Sequence, residues 1–289
     1  MGALSWSNNV GAIQSQEDSL SGAAASFIDT VLNELFFWNM SDLKSFESIL
    51  KVEFPEDRLT YQKCILTFHP QSADEAARLF KLANRHGQKL YITGFGNHID
   101  PIGQPFVNLV SIRTDRLNTM FEIAPEDFYV TVGSGYPLRE INRQLEEIQL
   151  MLPHSDFPYV GSVGGAIATG LTGELSGREI PLKKYFVKAQ IVTPQGDIIT
   201  PGSVCFKSVS GYDLVKIFCR SWGLLGLIVS ATLRVVPASA ASEFAAMKMR
   251  AVDRKRFLAG LSETSTDADA IYSRKIKLKF DPRSVLPVV

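Results

Sequence analysis

The sequence predicts an α+β fold of two packed subdomains, over residues of about 45–115 and 118–237. Three observations predict it: short apolar runs with strand character, amphipathic stretches with helix caps between them, and glycine-rich segments that directly follow predicted strands. The elements mix along the chain without a fixed order or an internal repeat. With 289 residues, of which 45% are hydrophobic, the chain is long enough to bury such a core.

Residues 1–44 are predicted to lie outside this core as an arm and a helix. Residues 1–24 are rich in Ser, Gly, Ala, Asn and Gln and offer little to bury. Residues 25–40 carry apolar and aromatic side chains near helical spacing, which predicts an amphipathic helix. Packing on its own domain and docking on a partner both stay open for this helix.

A capping box begins the first helix of the core. Ser72 is the expected N-cap and Glu75 follows three residues later, before an apolar stripe that ends at Gly87. Lys89–Ile92 reads as a short strand, and the glycine-containing run Thr93–His98 follows at once. We therefore expect this run at the carboxyl end of a strand, where α/β proteins place ligand loops.

Further strands are predicted from runs of β-branched and aromatic residues. They are Phe106–Val110, Met120–Ile123, Tyr129–Val132, Tyr185–Val192, Asp197–Thr200 and Leu225–Val236. Pro137 is expected to open a helix that runs to about Ile148. The turn sequence Thr193–Gly196 predicts a tight hairpin between the fourth and fifth of these strands.

The most glycine-rich segment is Tyr159–Gly173, which contains five glycines. Because each glycine disfavours a helix by up to ~1 kcal/mol relative to Ala, we expect a loop entering a short buried helix whose N-terminus faces an anion. Glycines at Gly94 and Gly96 and in this segment would let backbone N–H groups approach a pyrophosphate. Close helix packing through small residues is the alternative for the second segment.

Composition excludes several function classes. Thirty basic and thirty acidic side chains balance, so no charge excess favours nucleic acid. Cys64, Cys205 and Cys219 are too widely spaced for a disulfide framework, a structural zinc or an iron–sulfur cluster held by this chain alone. No signal peptide or membrane span is apparent, so we expect a cytoplasmic protein, with peripheral attachment to the membrane through partners as an option.

Four blocks in this order resemble one family. They are Gly94–His98, Ser162–Gly170, Gly211–Phe218 continued by Arg220–Ile228, and the tail Phe280–Pro287. Together they are similar to the PCMH-type FAD-binding domain of the vanillyl-alcohol oxidase superfamily, and most similar to its glycolate oxidase and D-lactate dehydrogenase branch. The resemblance covers about Gln62–Pro237 and implies a two-subdomain FAD-binding fold with the cofactor in the cleft.

The resemblance implies a set of FAD-binding residues. They are Thr93, Gly94, Phe95, Gly96, Asn97, His98, Asp156, Gly161, Ser162, Gly164, Gly165, Ala168, Thr169, Gly173 and Ile228. The amides of the glycines around residues 94–96 and 164–165 are expected to bind the pyrophosphate. Some superfamily members carry FAD on a histidine of the first loop, but His98 lies one position later than theirs, so noncovalent FAD is expected.

The chain departs from the family pattern at several positions. Phe95 stands where the family has glycine, and Arg220, Trp222 and Leu224 replace smaller or polar residues of the third block. The largest departure is in residues 238–289, where a substrate-binding cap would be nearly absent. Residues 238–279 contain no histidine, so no catalytic residue and no metal site is assigned there.

The resemblance implies an FAD-binding subunit of a 2-hydroxy-acid oxidoreductase of the glycolate or D-lactate type. Hydride would pass from substrate to FAD, and electrons would leave through a paralogous flavin subunit and an iron–sulfur subunit. A noncatalytic FAD-binding assembly or electron-relay subunit is the main alternative, and a scaffold without FAD is a further one. Enolpyruvyl-glucosamine reductases share the cofactor architecture but fit the third block and the tail less well.

Overall fold

A computed structural model describes most of the chain. The described residues are 43–96, 106–158, 160–204, 214–254, 257, 261 and 266–288. The predicted helix at residues 25–40, the cofactor candidates Asn97 and His98, and the first residues of the third block lie outside them. The chain divides into two units, Met1–Ser48 and Ile49–Val289. Helix α1 covers residues 43–53, and all that follows concerns the second unit.

Strands and short helices alternate irregularly through this unit. The strands are β1 (Leu59–Gln62), β2 (Ile65–Phe68), β3 (Lys89–Thr93), β4 (Leu109–Arg113), β5 (Met120–Ala124), β6 (Tyr129–Gly133), β7 (Leu150–Met151), β8 (Thr172–Leu175), β9 (Arg178–Pro181), β10 (Phe186–Val192), β11 (Ile198–Ile199), β12 (Leu227–Arg234), β13 (Val236–Pro237) and β14 (Lys248–Met249). The α-helices are α2 (Ala73–His86), α3 (Ile141–Leu145), α4 (Val163–Thr169), α5 (Ala241–Phe244) and α6 (Ala268–Phe280).

Two sheets carry the fold, as the α+β prediction required. The first has the order β1-β2-β4-β3, with β4 parallel to both of its neighbours. The second has the order β11-β10-β12-β6-β5 and is antiparallel throughout. The two sheets fall in the two segments predicted as subdomains, while the exact domain boundaries stay a prediction.

Helix α2 confirms the predicted caps. The N–H of Glu75 donates to Ser72 Oγ over 3.2 Å, and Gly87 ends the helix in the left-handed region at φ 68°. The Glu75 carboxylate accepts from the N–H of Gln71, one residue before the position expected in a capping box. Arg58 also donates to this carboxylate, at 3.0 Å, and holds it toward the start of the helix.

Several predicted boundaries were wrong. The strand predicted at Phe106–Val110 begins at Leu109 and runs to Arg113, because the parallel register with β3 pairs Leu109 with Lys89 and Arg113 with Thr93. The helix predicted after Pro137 is divided into a 3-10 turn, α3 and a second 3-10 turn. The long last strand begins only after Gly226, and β12 ends at Arg234 before the separate strand β13.

The main core lies against the second sheet. Phe186 and Ile191 of β10 and Ala231 of β12 are buried there, and α4 packs onto β12 and β6. Burial of such side chains stabilises a fold by about 25 cal/mol per Å² of apolar surface. The short glycine-rich helix α4 is therefore held by its surroundings rather than by its own helix propensity.

The C-terminal segment packs back on the domain as a strand and a helix. β14 adds to β8, and α6 leads into the tail. Asp281 is 3% exposed, and its carboxylate accepts from the N–H groups of Val285 and Leu286, both at 2.8 Å. The carbonyl of Val285 then accepts from Leu90 of β3 at 2.7 Å, so the tail supports the strand that leads to the first glycine loop.

Candidate functional site: a cleft between two glycine-rich loops

The two glycine-rich segments meet in space although nearly seventy residues separate them along the chain. Gly94 follows β3, and Ser162 precedes α4. A Cβ atom added to Gly94 would lie 2.7 Å from Ser162 Oγ, which is closer than real contacts allow. The first loop therefore requires glycine at this position because the second loop occupies the space.

Helix α4 has the predicted form of a short helix entered from a loop. Ser162 is its N-cap, and Ser162 Oγ accepts from the N–H of Gly165 at 3.1 Å. The helix ends at Gly170, which has φ 75°, after Thr169 donates its hydroxyl to the carbonyl of Gly165 at 2.8 Å. The glycines thus serve both the end of the helix and its close packing.

The expectation for the amides of Gly164 and Gly165 needs correction. The N–H of Gly164 donates to the carbonyl of Ser134 at 2.7 Å, and that of Gly165 is taken by Ser162 Oγ. Both donors are satisfied within the protein, so this geometry does not offer them to a pyrophosphate. Gly164 is required instead by close approach, since a Cβ there would lie 2.7 Å from Ser134 Cβ.

The first loop differs in this respect. The N–H groups of Phe95 and Gly96 donate to no other residue in the part of the chain that the structure describes. Gly96 has φ 82°, a left-handed conformation that L residues rarely adopt. In the described part of this loop, these two amides are therefore available to donate to a ligand.

A cleft lies between the loops and collects most of the predicted residues. Thr93, Gly94, Phe95, Gly96, Gly161, Ser162, Gly164, Gly165, Ala168, Thr169 and Ile228 line it. Asp156 lies outside the lining and accepts from Asn142 Nδ2 at 2.8 Å. Gly173 also lies outside, in β8, where a Cβ would meet Met247 Sδ at 2.4 Å, so packing explains this glycine.

Two cleft residues escaped the sequence analysis. Thr114 and Ser134 are 4% and 0% exposed and line the cleft, and their hydroxyl oxygens have no hydrogen-bond partner among the described residues. Thr114 directly follows β4 and Ser134 directly follows β6, so a search for polar residues at strand ends would have found them. Because buried hydroxyls are nearly always paired, these two indicate a ligand with polar atoms.

Uncharged residues line the cleft in the part of the chain that the structure describes. Its described lining contains no Asp, Glu, Lys, Arg or His. Burial raises the pKa of Tyr91, on β3, to about 12, although the neighbouring Arg254 opposes the shift, so its hydroxyl stays protonated and can donate. A ligand here is held by hydroxyls, backbone amides and apolar contact rather than by ion pairs.

The fold and the cleft define a cofactor-binding α+β domain that receives its ligand between glycine-rich loops of two sheets. Residues 65–202 match the sequence profile of the FAD binding domain family. This match confirms the resemblance proposed from the sequence over that segment, which is just under half of the chain.

Curated relatives agree with this assignment. The chain is 30% identical over 168 residues to the D-lactate dehydrogenase [cytochrome], mitochondrial, of Arabidopsis thaliana, covering 57% of this chain and 29% of that protein. It is 27% identical to the glycolate oxidase subunit GlcD of Bacillus subtilis (58% and 36% covered). It is 31% identical to the glycolate oxidase subunit GlcE of Escherichia coli (41% and 34% covered). The chain thus spans about a third of these relatives' length.

A solved structure shows the same fold. An alkyldihydroxyacetonephosphate synthase aligns with a TM-score of 0.55 at 23% identity, covering 67% of this chain and 40% of the other. At this identity the likeness concerns the fold alone. Within the described residues, no helix has the length and apolar character needed to cross a bilayer.

Proposed function

We propose that the chain binds FAD noncovalently in the cleft and serves as the FAD-bearing subunit of a 2-hydroxy-acid oxidoreductase. The observation that carries the proposal is a pair of buried hydroxyls, Thr114 and Ser134, which line the cleft between two glycine-rich loops and have no hydrogen-bond partner among the described residues. FAD offers phosphate oxygens, ring nitrogens and carbonyls for such groups, together with two flat ring systems for apolar walls.

Different residues of the cleft suit different parts of FAD. The amides of Phe95 and Gly96 suit the pyrophosphate, which needs N–H donors at close range. The hydroxyls of Thr114 and Ser134 suit the remaining polar atoms, and Ile228 offers apolar contact. The position of His98, one residue later than the histidine that carries FAD in some superfamily members, supports noncovalent binding.

The proposed reaction uses FAD as the acceptor of a hydride from the α-carbon of a small 2-hydroxy acid. The protein binds and orients the cofactor and excludes water from the neutral cleft. The D-lactate dehydrogenases and glycolate oxidase subunits among the relatives support a substrate of the glycolate or D-lactate type. Two relatives are named as subunits of a glycolate oxidase, which supports a complex with a paralogous flavin subunit. An iron–sulfur subunit would then take the electrons.

A second candidate is a noncatalytic FAD-binding assembly or electron-relay subunit. The specific observation in its favour is that the described lining offers no carboxylate or histidine to accept the proton of a substrate hydroxyl. In that case a paralogue carries the substrate site, and this chain contributes the cofactor alone.

The visible absorption spectrum of the purified protein tests the cofactor. Bands near ~370 and ~450 nm, with FAD released into the supernatant on denaturation, are expected for noncovalent FAD. A colourless protein that takes up no added FAD would refute the proposal, and a flavin that stays with the denatured chain would refute the noncovalent part. Turnover of glycolate or D-lactate with an artificial electron acceptor separates the oxidoreductase from the noncatalytic subunit.

A further inference from the structure

A second cavity adjoins the cleft. It encloses about 780 Å³, within the range of small-molecule sites, and shares Thr169, Ser221 and Trp222 with the lining of the first. These three residues form the boundary between the two cavities. Unlike the described lining of the cleft, that of the second cavity is charged, with five basic and four acidic side chains.

The boundary carries an unusual turn. Arg220 and Trp222 have φ values of 62° and 52°, in the left-handed region that non-glycine residues rarely adopt. Their N–H groups donate to the carbonyls of Ile167 and Ala168 near the end of α4, at 3.2 and 3.0 Å. The turn is therefore tied to the helix in a conformation that local preferences alone would not favour. Such strain is often retained where a side chain must point into a site.

The stem of Arg220 is also fixed in place. A Cβ atom added to Gly170 would lie 2.0 Å from Arg220 Cγ, so the Arg220 side chain passes directly over the backbone of this glycine. Gly170 immediately follows Thr169, which lines both cavities. The aliphatic stem of Arg220 thus lies beside the boundary, while Arg220 as a whole is exposed and lines the second cavity.

The charge of Arg220 is not neutralised within the described chain. Two other cations of this cavity are paired, Arg250 with Glu179 and Lys277 with Asp281 at 2.5 Å, whereas Lys183 is unpaired among the described residues like Arg220. The guanidinium of Arg220 has neither an ion pair nor a hydrogen bond to any described residue. A guanidinium on a packed stem, without a partner among the described residues, is suited to a carboxylate, which it binds through two parallel hydrogen bonds.

We propose that Arg220 binds the carboxylate of the substrate in the second cavity, a role that rests on the proposed function in FAD-dependent oxidation of a 2-hydroxy acid. An anion on Arg220 lies beside Ser221 and Trp222, and therefore beside the cofactor cleft. Arg220 is thus a substrate-binding residue contributed by the cofactor domain itself. The substrate class it selects is a small monocarboxylate or dicarboxylate.

The test compares Arg220→Met, Arg220→Lys and Lys183→Met with the wild type. Met keeps an unbranched stem over Gly170 while removing the charge. Lys keeps the charge but lacks the planar guanidinium that can make two parallel hydrogen bonds. Lys183 lines the same cavity and has no hydrogen bond or ion pair among the described residues, so Lys183→Met removes one equal charge elsewhere. Flavin content and the melting temperature are measured first, to show that each variant folds and holds FAD.

Oxalate and D-lactate are then titrated into the FAD-loaded proteins under anaerobic conditions, and the flavin difference spectrum is recorded. We expect Arg220→Met to weaken oxalate binding by about tenfold or more. Arg220→Lys should recover part of the loss, and Lys183→Met should change the Kd by less than about threefold. Unchanged binding in Arg220→Met overturns the inference, as does an equal loss in Lys183→Met or a wild type that binds neither ligand.

The two proposals fail in distinguishable ways. If the wild type takes up no FAD, the proposed function fails, and calorimetric titration of oxalate into the colourless protein still compares wild type with Arg220→Met. If FAD binds normally and the Arg220 variants bind oxalate like the wild type, the FAD-binding proposal stands and the role of Arg220 is refuted.

Discussion

The Nδ1 atom of His69, a residue that is 4% exposed, lies 2.8 Å from Oδ1 of Asp115. The other ring nitrogen of His69 lies 2.8 Å from the hydroxyl oxygen of Thr60, so the imidazole joins β1 to the turn after β4. Asp115 directly follows Thr114, whose unpaired hydroxyl lines the cofactor cleft. The position of this hydroxyl therefore depends on a buried histidine outside the cleft.

His69→Leu removes both of these bonds and leaves Asp115 and Thr60 without them. Each lost bond costs about 1 kcal/mol, and more where a group stays buried, so we expect the free energy of unfolding to fall by about 2–3 kcal/mol. FAD affinity should fall as well, because Thr114 loses its support. Urea unfolding and FAD titration measure the two effects, with the exposed His86→Leu as control. An equal loss in His86→Leu would contradict this interpretation.

Thr114→Val and Ser134→Ala should affect the cofactor rather than the apoprotein. Their hydroxyls have no partner in the described protein, so removing them should leave the melting temperature of the apoprotein unchanged or raise it. We expect FAD binding to weaken about 5- to 10-fold for each, equivalent to about 1–1.5 kcal/mol.

Thr131→Val is the matched control for these two variants. The hydroxyl of Thr131 lies 3.0 Å from that of Thr232, so this bond joins β6 to β12 within the sheet, and Thr131 does not line the cleft. Loss of this hydrogen bond should lower the free energy of unfolding and leave FAD affinity unchanged. The reverse pattern, with the cleft variants destabilised and FAD binding intact, would show that the two unpaired hydroxyls serve folding alone.

Gly94→Ala tests the contact between the loops. The added Cβ would lie 2.7 Å from Ser162 Oγ, so the loops must separate, and both stability and FAD affinity should fall. Removing the obstructing oxygen with Ser162→Ala costs about 1 kcal/mol of helix capping by itself. When Ser162 is already replaced by Ala, however, Gly94→Ala should lower the free energy of unfolding by less than it does in wild type. Strict additivity in this cycle would show that the two residues do not contact each other.

His154 should make the protein sensitive to mild acid. Burial lowers its pKa below the ordinary value of 6.5, against the smaller opposing effect of its bond to the carbonyl of Ile180. As the pH falls below about 6.5, His154 becomes protonated in the unfolded chain but stays neutral in the folded chain, so stability decreases. Above that pH, this contribution is fully present.

His154→Gln keeps a donor for Ile180 and removes the titration. The variant should lose less stability than wild type between pH 7 and pH 5, as measured by the urea midpoint at each pH. Parallel pH profiles for the two proteins would contradict the assignment to His154. The flanking rings of Phe157 and Tyr185, at 5.7 and 5.2 Å, leave room for little rearrangement, so a lower absolute stability is expected at both pH values.

Local chemistry made parts of the fold predictable. The cap of Ser72, the stop at Gly87 and the turn Thr193–Gly196 depend on residues within a few positions, and the structure confirms them. The loop entering α4 was predictable for the same reason, since Ser162 and Gly170 bound that helix at its two ends. The two glycine loops of the candidate site were found in this way too.

Tertiary structure decided what depends on distant partners. The start of β4 at Leu109 follows from its pairing with β3, and the amide of Gly164 is taken by Ser134, thirty residues earlier. Thr114 and Ser134 look ordinary in the sequence and become exceptional only because folding buries their hydroxyls without partners among the residues that the structure describes. The sequence by itself thus determined the α+β class, the helix caps and the two loops, because these depend on local backbone preferences. Only the three-dimensional packing decided which donors stay free and which face the cleft, because hydrogen-bond satisfaction is a property of neighbours in space.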